Sequence, residues 1–427
     1  MLHFSLILLF ILIGLSIPVA AALGLLALIL DGIFSPMPLY RAMGDLAWSA
    51  STEFLLVAIP LFVLMGEILL RAGIADKVYR SVSTWLSWLP GGLMHSNIGA
   101  CASFAAISGS TVATAATVGT VAIPQMDRNH YNRSLFLGTL ASGGTLGILI
   151  PPSINIIIYG ALTDTSIPEL YLAGILPGVV LAGLFIGTVL IACALRPELG
   201  GQRHTYSWND RWCSLPDLIP PALIFIVVIG SIYAGFATPT ESAALGVICS
   251  IILAAANRRL TLEIIKHSVE GAMQTTAMIM LIIVAAFFLN LVLSTIGLPQ
   301  KVSDFVTGLD YSPTIALLLI VSLYLALGLF LETLTLMIST VPIIAPVVFA
   351  LGYDPVWFGI LLMLLIETAL ITPPVGLNLY VIQGVRKSGH VNDVIIGALP
   401  FVAALLVMIG VLMAFPQLAL MLPSRFY

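Results

Sequence analysis

Charge is the scarcest feature of this chain. Asp, Glu, Lys and Arg together make up 8% of its 427 residues, against roughly a quarter in soluble domains, so an ordinary soluble fold is excluded. The net charge of -4 discriminates little between partners, because most of the surface of such a chain faces lipid; no nucleic-acid partner is expected. Cysteine is nearly as sparse. Cys101, Cys193, Cys213 and Cys249 form no CxxC pair and read as small apolar fillers, not disulfides or metal ligands. Catalytic signatures are missing as well: there is no Walker A Lys-Ser/Thr, no HExxH and no Gly-x-Ser-x-Gly. His3, His95, His130, His204, His267 and His390 are dispersed near the ends of apolar runs. Neither an enzyme nor an organic cofactor is expected. A basic stretch before the first apolar run is also lacking, and that run, Leu2 to Leu30, is too long for a signal-peptide core. It is expected to stay as a first membrane helix, although Val19-Ala20-Ala21-Ala22 resembles a cleavage site.

What the chain has is hydrophobicity, 60% of residues, gathered in long runs. Runs of roughly 20 residues mean membrane-spanning helices, whereas a barrel would show short alternating segments. The candidate embedded stretches are 3–30, 53–70, 92–124, 134–161, 170–195, 216–237, 239–256, 273–296, 313–350, 356–384 and 393–422. Two of them, 92–124 and 313–350, are too long for one crossing and call for a helix plus a re-entrant hairpin, or two crossings. The sparse basic residues orient the chain by the positive-inside rule. Arg71, Lys77 and Arg80; Arg128 and Arg133; Arg196, Arg203 and Arg211; Arg258, Arg259 and Lys266; and Arg386 and Lys387 all fall on one side in a single threading, thirteen of the sixteen present. That side is cytoplasmic. The loops near Arg41, Thr163–Glu169, Ala237, Lys301 and Tyr353 then face the periplasm, as does the C-terminus.

The chain repeats itself. Gly73-Ile74-Ala75-Asp76-Lys77-Val78 echoes Gly297-Leu298-Pro299-Gln300-Lys301-Val302, and Pro124 matches Pro346. Twenty-seven residues after each of those prolines stands a Pro-Pro pair, Pro151-Pro152 and Pro373-Pro374, followed by Asn155 and Asn378. Gly174-Ile175-Leu176-Pro177 matches Gly397-Ala398-Leu399-Pro400. The loop after Pro124 is assigned inside and the loop after Pro346 outside, so the halves are inverted. The fold expected is an all-α, polytopic membrane protein with two inverted-topology repeats, re-entrant hairpins and broken helices. Its divisions are N-terminal scaffold helices (1–70), a first repeat (71–195), a cytoplasmic loop with connecting scaffold helices (196–272) and a second repeat (273–427). Inverted repeats are typical of secondary transporters, with sites near the midplane.

Proline removes an N–H and clashes with the preceding turn, so each Pro-Pro pair must break its helix. Broken backbone at membrane depth is tolerated where it is buried in protein or lines a polar cavity, and its free carbonyls and new helix N-termini suit Na+ and anions. Pro151, Pro152, Ser153 and Asn155 mark the first candidate site, beside Ser142, Gly143, Gly144 and Thr145. Thr372, Pro373, Pro374, Val375, Gly376 and Asn378 mark the second, beside Thr368. Upstream of each lies a stretch of small and hydroxyl residues: Ser108, Gly109, Ser110 and Thr111 continuing to Thr114 and Thr117, and its counterpart around Glu332 and Thr333. A Gly between two serines suits an unwound hairpin tip. Three carboxylates, Glu241, Glu332 and Glu367, sit in or near apolar segments and are functional candidates by default. Glu241 also fits a helix-capping role after Thr238-Pro239, and Glu67 is a weaker case at a span end. Since no Lys or Arg lies inside the core segments, an anionic substrate would be neutralised by bound cations and helix dipoles.

At these residues the chain resembles the large membrane subunit of tripartite ATP-independent periplasmic (TRAP) transporters, the DctM-type family. The similarity runs nearly end to end, through Ala58-Ile59-Pro60-Leu61-Phe62, Gly91-Gly92-Leu93, Ile107-Ser108-Gly109-Ser110, Ile150-Pro151-Pro152-Ser153, Ala173-Gly174-Ile175-Leu176-Pro177-Gly178, Thr238-Pro239-Thr240-Glu241 and Ile371-Thr372-Pro373-Pro374-Val375-Gly376-Leu377-Asn378. It implies an elevator-type carrier in the bacterial inner membrane, coupled to Na+. It also implies a small four-helix subunit of the DctQ type, a periplasmic substrate-binding protein of the DctP type, and an organic anion such as a C4-dicarboxylate or sialic acid. Ion and substrate contacts carry over onto Ser108–Thr111, Pro151–Asn155, Glu332-Thr333 and Thr372–Asn378, with Na+ at Ser108, Ser110, Asn155, Thr333, Thr372 and Asn378. Two departures stand out: the family commonly has Asp where this chain has Thr114, and Asp where it has Glu332. The alternative is a stand-alone ion-coupled carboxylate carrier or Na+/H+ antiporter of the same superfamily.

Overall fold

A computed structural model describes residues 2–15, 17–202, 206–298, 300–301 and 312–426. Arg203, His204, Pro299 and Val302 lie outside the described residues. The chain is built of helices: α1 (Leu2–Gly14), α2 (Val19–Phe34), α3 (Met43–Thr52), α4 (Ala58–Arg71), α5 (Ile74–Leu86), α6 (Leu93–Ser108), α7 (Thr111–Arg128), α8 (Arg133–Leu149), α9 (Ile154–Thr163), α10 (Ile167–Leu195), α11 (Trp208–Ser214), α12 (Ile219–Tyr233), α13 (Pro239–Ala256), α14 (Leu262–Thr295), α15 (Pro313–Gly328), α16 (Thr333–Ala350), α17 (Pro355–Ile371), α18 (Leu377–Arg386) and α19 (Val391–Ala414), with two short turns after it. Among the described residues, seven helical stretches are long and apolar enough to cross a bilayer, eight with the bent α8–α9 pair counted as one span.

The first apolar run is not one helix, as expected from its length, but two. α1 ends at Gly14 and α2 begins at Val19. Pro18 has no N–H for a continuing ladder, and its ring disfavours helical backbone at Ile17. The other starts follow their capping chemistry. Thr238 caps α13, with Glu241 reaching back to its backbone N–H and hydroxyl at 2.8 Å each. Glu241 is thus an exposed capping carboxylate. Asn132 and Asp354 cap α8 and α17 in the same way, their side chains accepting from N–H groups of the first turn.

The repeat is plain in the helix lengths. α6, α7, α8 and α9 have 16, 18, 17 and 10 residues, and α15, α16, α17 and α18 have 16, 18, 17 and 10. α10 and α19 follow, each carrying an internal proline, Pro177 and Pro400. The two units interlock: α7 packs on α18, α16 on α9, and α8 on α19. At the last crossing Gly138 and Gly397 bring the backbones together, since a Cβ on Gly138 would stand 2.0 Å from the Gly397 carbonyl oxygen. The remaining long helices form a frame in which α14 lies along α2 and α4, and α13 packs on α4 and α12.

Contacts between loops sort them into two poles. Arg80 pairs with Asp217 at 2.7 Å, Lys77 meets Asn257, and the Gln202 N–H donates to the Asn129 carbonyl at 3.0 Å. Segments rich in Lys and Arg are therefore neighbours. At the other pole, Tyr233 donates to the Pro168 carbonyl at 2.8 Å, Tyr159 to Pro355 at 2.7 Å, and Thr240 to Phe54 at 2.9 Å. The loop after α7 belongs to the first pole and the loop after α16 to the second, so the repeats run in opposite directions.

Candidate functional site

The first hairpin turns over at Ser108-Gly109-Ser110. Gly109 has φ +60°, and a Cβ there would stand 2.9 Å from the Pro152 carbonyl oxygen. Glycine is needed twice over, for the left-handed turn and for bringing the tip against the first helix break. Ser110 is extended and its hydroxyl accepts from the Ala113 N–H, capping α7. The Ser108 and Thr114 hydroxyls meet at 2.7 Å, and Thr114 also donates to the Ser110 carbonyl at 2.7 Å. Thr114, at the position where the family's Asp is expected, thus closes the turn from within.

The second hairpin places Glu332 where the first has Ser110. Its carboxylate accepts from the Thr333 hydroxyl at 2.9 Å and from the Thr335 N–H and hydroxyl at 3.2 Å each. A negative charge at the first turn of α16 is favoured by the unpaired N–H groups there.

The breaks have matching form. α8 ends at Leu149, Ile150 is extended, and α9 resumes at Ile154 after a bend of 40°. α17 ends at Ile371, Thr372 is extended, and α18 resumes at Leu377. The Pro151-Pro152 and Pro373-Pro374 peptide bonds are both cis. Asn155 and Asn378, however, differ in setting. Asn155 is half-buried at the start of α9, whereas Asn378 is fully buried and donates to the Ala141 carbonyl of α8 at 3.1 Å, leaving its amide oxygen without a partner among the described residues.

A cavity of about 450 Å³ collects these parts. Of the residues expected from sequence, Ser108, Gly109, Ser110, Thr111, Asn155, Glu332 and Thr333 line it together. Pro151, Pro152 and Ser153 are buried behind it, and Thr372, Pro373, Pro374, Val375, Gly376 and Asn378 do not reach it; Leu377 represents the second break instead. The opposite wall comes from the frame. α4 supplies Val63, Gly66, Glu67 and Leu70, and α14 supplies Thr275, Met278 and Ile279. Gly66 permits the closest approach, since a Cβ there would press on the Ser108 carbonyl oxygen at 3.0 Å.

Sequence reasoning overlooked this wall. Glu67 carried a faint signal as an ionisable residue at a span end, and Thr275 carried none beyond a Thr-Thr pair in an apolar run. Glu67 is paired with Arg71 at 2.9 Å, and no Lys, Arg or His is among the lining residues. The cavity therefore offers hydroxyls, an amide, backbone at two hairpin tips and two carboxylates. That donor set suits a hard cation better than a lone anion.

Comparison with known proteins fits this arrangement. The family described as "Tripartite ATP-independent periplasmic transporter, DctM component" matches residues 6–418. The chain is 35% identical over 406 residues to the C4-dicarboxylate TRAP transporter large permease protein DctM of Pseudomonas aeruginosa, covering 94% of each chain. It is 32% identical over 375 residues to the sialic acid TRAP transporter large permease protein SiaM of Vibrio cholerae, covering 88% of this chain and 87% of that one. Among solved structures, the YdaH transporter of Alcanivorax borkumensis shares the fold with a TM-score of 0.63 at 16% identity, covering 94% of this chain and 98% of that chain. A match of such length means that the chain belongs to the DctM family of TRAP transporter large permeases.

Proposed function

We propose that this permease imports a small organic anion, such as a C4-dicarboxylate or sialic acid, across the bacterial inner membrane with Na+ as the coupling ion. The observation that carries the reading is the cavity: two hairpin tips and a helix break face two frame helices across a space with oxygen donors and no cationic side chain. An anion entering it meets the Glu332 carboxylate, while Glu67 is held by Arg71, so a bound cation offsets the charge at the second tip. Ser108, Ser110, Asn155 and Thr333, which line one cavity, would hold one Na+ beside the first tip. Thr372 and Asn378 would serve a second ion at the second break, where the buried Asn378 amide oxygen has no partner among the described residues.

The interlocked repeats act as one body that slides against the α4–α14 wall, carrying the cavity between the two poles as an elevator. Ser108 and Gly66 are the touching points of that boundary. The chain works as a carrier, not as an enzyme, and the tripartite family points to two partners: a small membrane subunit and a periplasmic protein that delivers the substrate. Reconstitution tests this. With the partners present, uptake into proteoliposomes requires Na+ outside; uptake that proceeds equally in K+ buffer refutes Na+ coupling, and uptake by the chain alone refutes the tripartite requirement.

A further inference from the structure

One buried carboxyl is not used by the cavity. Glu367 lies in α17, five residues before Thr372, in a stretch where every side chain from Val356 to Ile371 is buried. Neither carboxyl oxygen has a hydrogen-bond partner among the described residues, and the residue is fully buried. The carboxyl lies against the Leu149 backbone at the end of α8.

The helices packed against α17 offer no counter-charge. On α8, Arg133 pairs with Asp127 at the far end, and Arg386 of α18 pairs with Asp393 of α19. Glu332 at the start of α16 is engaged at its hairpin tip, and Tyr380 of α18 bonds to the Pro374 carbonyl. The Tyr159 hydroxyl of α9 donates to Pro355, and the Tyr324 hydroxyl of α15 is taken by Thr340. The Tyr171 hydroxyl of α10, the Ser142 hydroxyl of α8 and the Asn378 and Gln383 amide oxygens of α18 are buried without a partner among the described residues, and none of them is a cation.

The fold itself does not demand an acid here. α8 and α17 have equal length, and the residue of α8 at the same register is Thr145, whose hydroxyl bonds within its own helix to Ser142 at 2.8 Å. An ionised carboxylate without a partner in a dry interior is far more costly than a neutral acid, so such a group neutralises. We propose that Glu367 is a proton site of the moving body. It holds a proton in the conformation described here and releases it to water in another conformation of the transport cycle, in which water reaches the end of α8. A proton then binds and leaves once per cycle, in addition to the Na+ steps proposed above.

Two measurements test this. Infrared difference spectra of purified wild type against Glu367→Gln are expected to show a protonated-carboxyl band at neutral pH that shifts in D2O and is lost in the variant. In proteoliposomes with a trapped pH dye, Na+-driven uptake by wild type is expected to move protons, and Glu367→Gln to lose that signal. Glu367→Thr, which installs the first repeat's residue, serves if the glutamine variant does not fold. An ionised-carboxylate band in place of the protonated one, an absence of proton movement in wild type, or its persistence in either variant overturns the proposal. The infrared readout needs no transport, so a protein that shows the band but no Na+-dependent uptake rejects the Na+-coupled reading and not the neutral Glu367.

Discussion

Replacing Gly397 with alanine tests the crossing on which the two repeats depend. A Cβ at residue 397 would stand 1.7 Å from the Ser134 carbonyl oxygen, 2.5 Å from its carbon and 3.1 Å from the Gly138 nitrogen. All three are backbone atoms, so no rotamer relieves the clash, and α8 and α19 must separate by more than an ångström. Overpacking a filled interior costs about 1–3 kcal/mol, occasionally more. A clash of backbone against Cβ belongs at the upper end, so a loss of about 3 kcal/mol is expected, larger than the roughly 0.5–1 kcal/mol that alanine contributes over glycine inside a helix. Gly410, on the same helix, has nothing within 4 Å of its would-be Cβ and is the internal control. In detergent, thermal unfolding followed by size-exclusion chromatography should show Gly397→Ala melting well below wild type and Gly410→Ala at or above it. Equal or higher melting for Gly397→Ala would refute the close crossing.

Other consequences follow from the same geometry. Cys213 is the one exposed cysteine of the four and lies at the basic pole; in intact cells it should react with a membrane-permeant maleimide and resist an impermeant one, and the reverse would invert the assigned orientation. Asn378→Ala removes both the bond to Ala141 and the amide oxygen, and should raise the Na+ concentration for half-maximal uptake by about tenfold, equivalent to about 1.4 kcal/mol; an unchanged Na+ dependence would remove Asn378 from the proposed ion site. Glu332→Gln keeps the shape of the second tip but not its charge, and should weaken Na+ dependence, whereas Glu241→Gln, at an exposed cap that does not line the cavity, should leave uptake intact. Equal effects of the two on uptake would argue against a special role for Glu332.

How much of this was legible in the sequence depended on the kind of signal. Pro-Pro pairs and a Ser-Gly-Ser turn act locally, so the two breaks and the first hairpin tip could be placed within a residue or two. The inverted relation followed from charge, because Lys and Arg mark a side whatever the packing. The split of the first apolar run was readable at Pro18 but was outweighed by the length of the run. The α4–α14 wall was not readable. Nothing at Thr275 or Met278 distinguishes a residue facing a cavity from one facing lipid, and that distinction arises only when distant helices pack. The differing fates of Asn155 and Asn378 were hidden for the same reason: equal positions in two repeats face unequal surroundings once one unit lies nearer the frame.

The interlock also explains why the chain needs two units. A helix broken at mid-membrane leaves carbonyls and N–H groups that hydrocarbon cannot satisfy, so each break must be covered by protein. Here the cover is exchanged: α16 of the second repeat lies over α9, just past the first break, and α7 of the first lies over α18, just past the second. Gly119 of α7 lets Ile382 of α18 approach, its would-be Cβ standing 3.3 Å from that side chain. The first break is covered from within its own repeat as well, where Gly109 brings the hairpin tip against the Pro152 carbonyl, and the two units together face the frame across the cavity. The inverted duplication therefore does more than provide symmetry. It sets the position of the cavity, because both hairpin tips and the first break face the frame there, and on the function proposed above that is where ions and substrate bind.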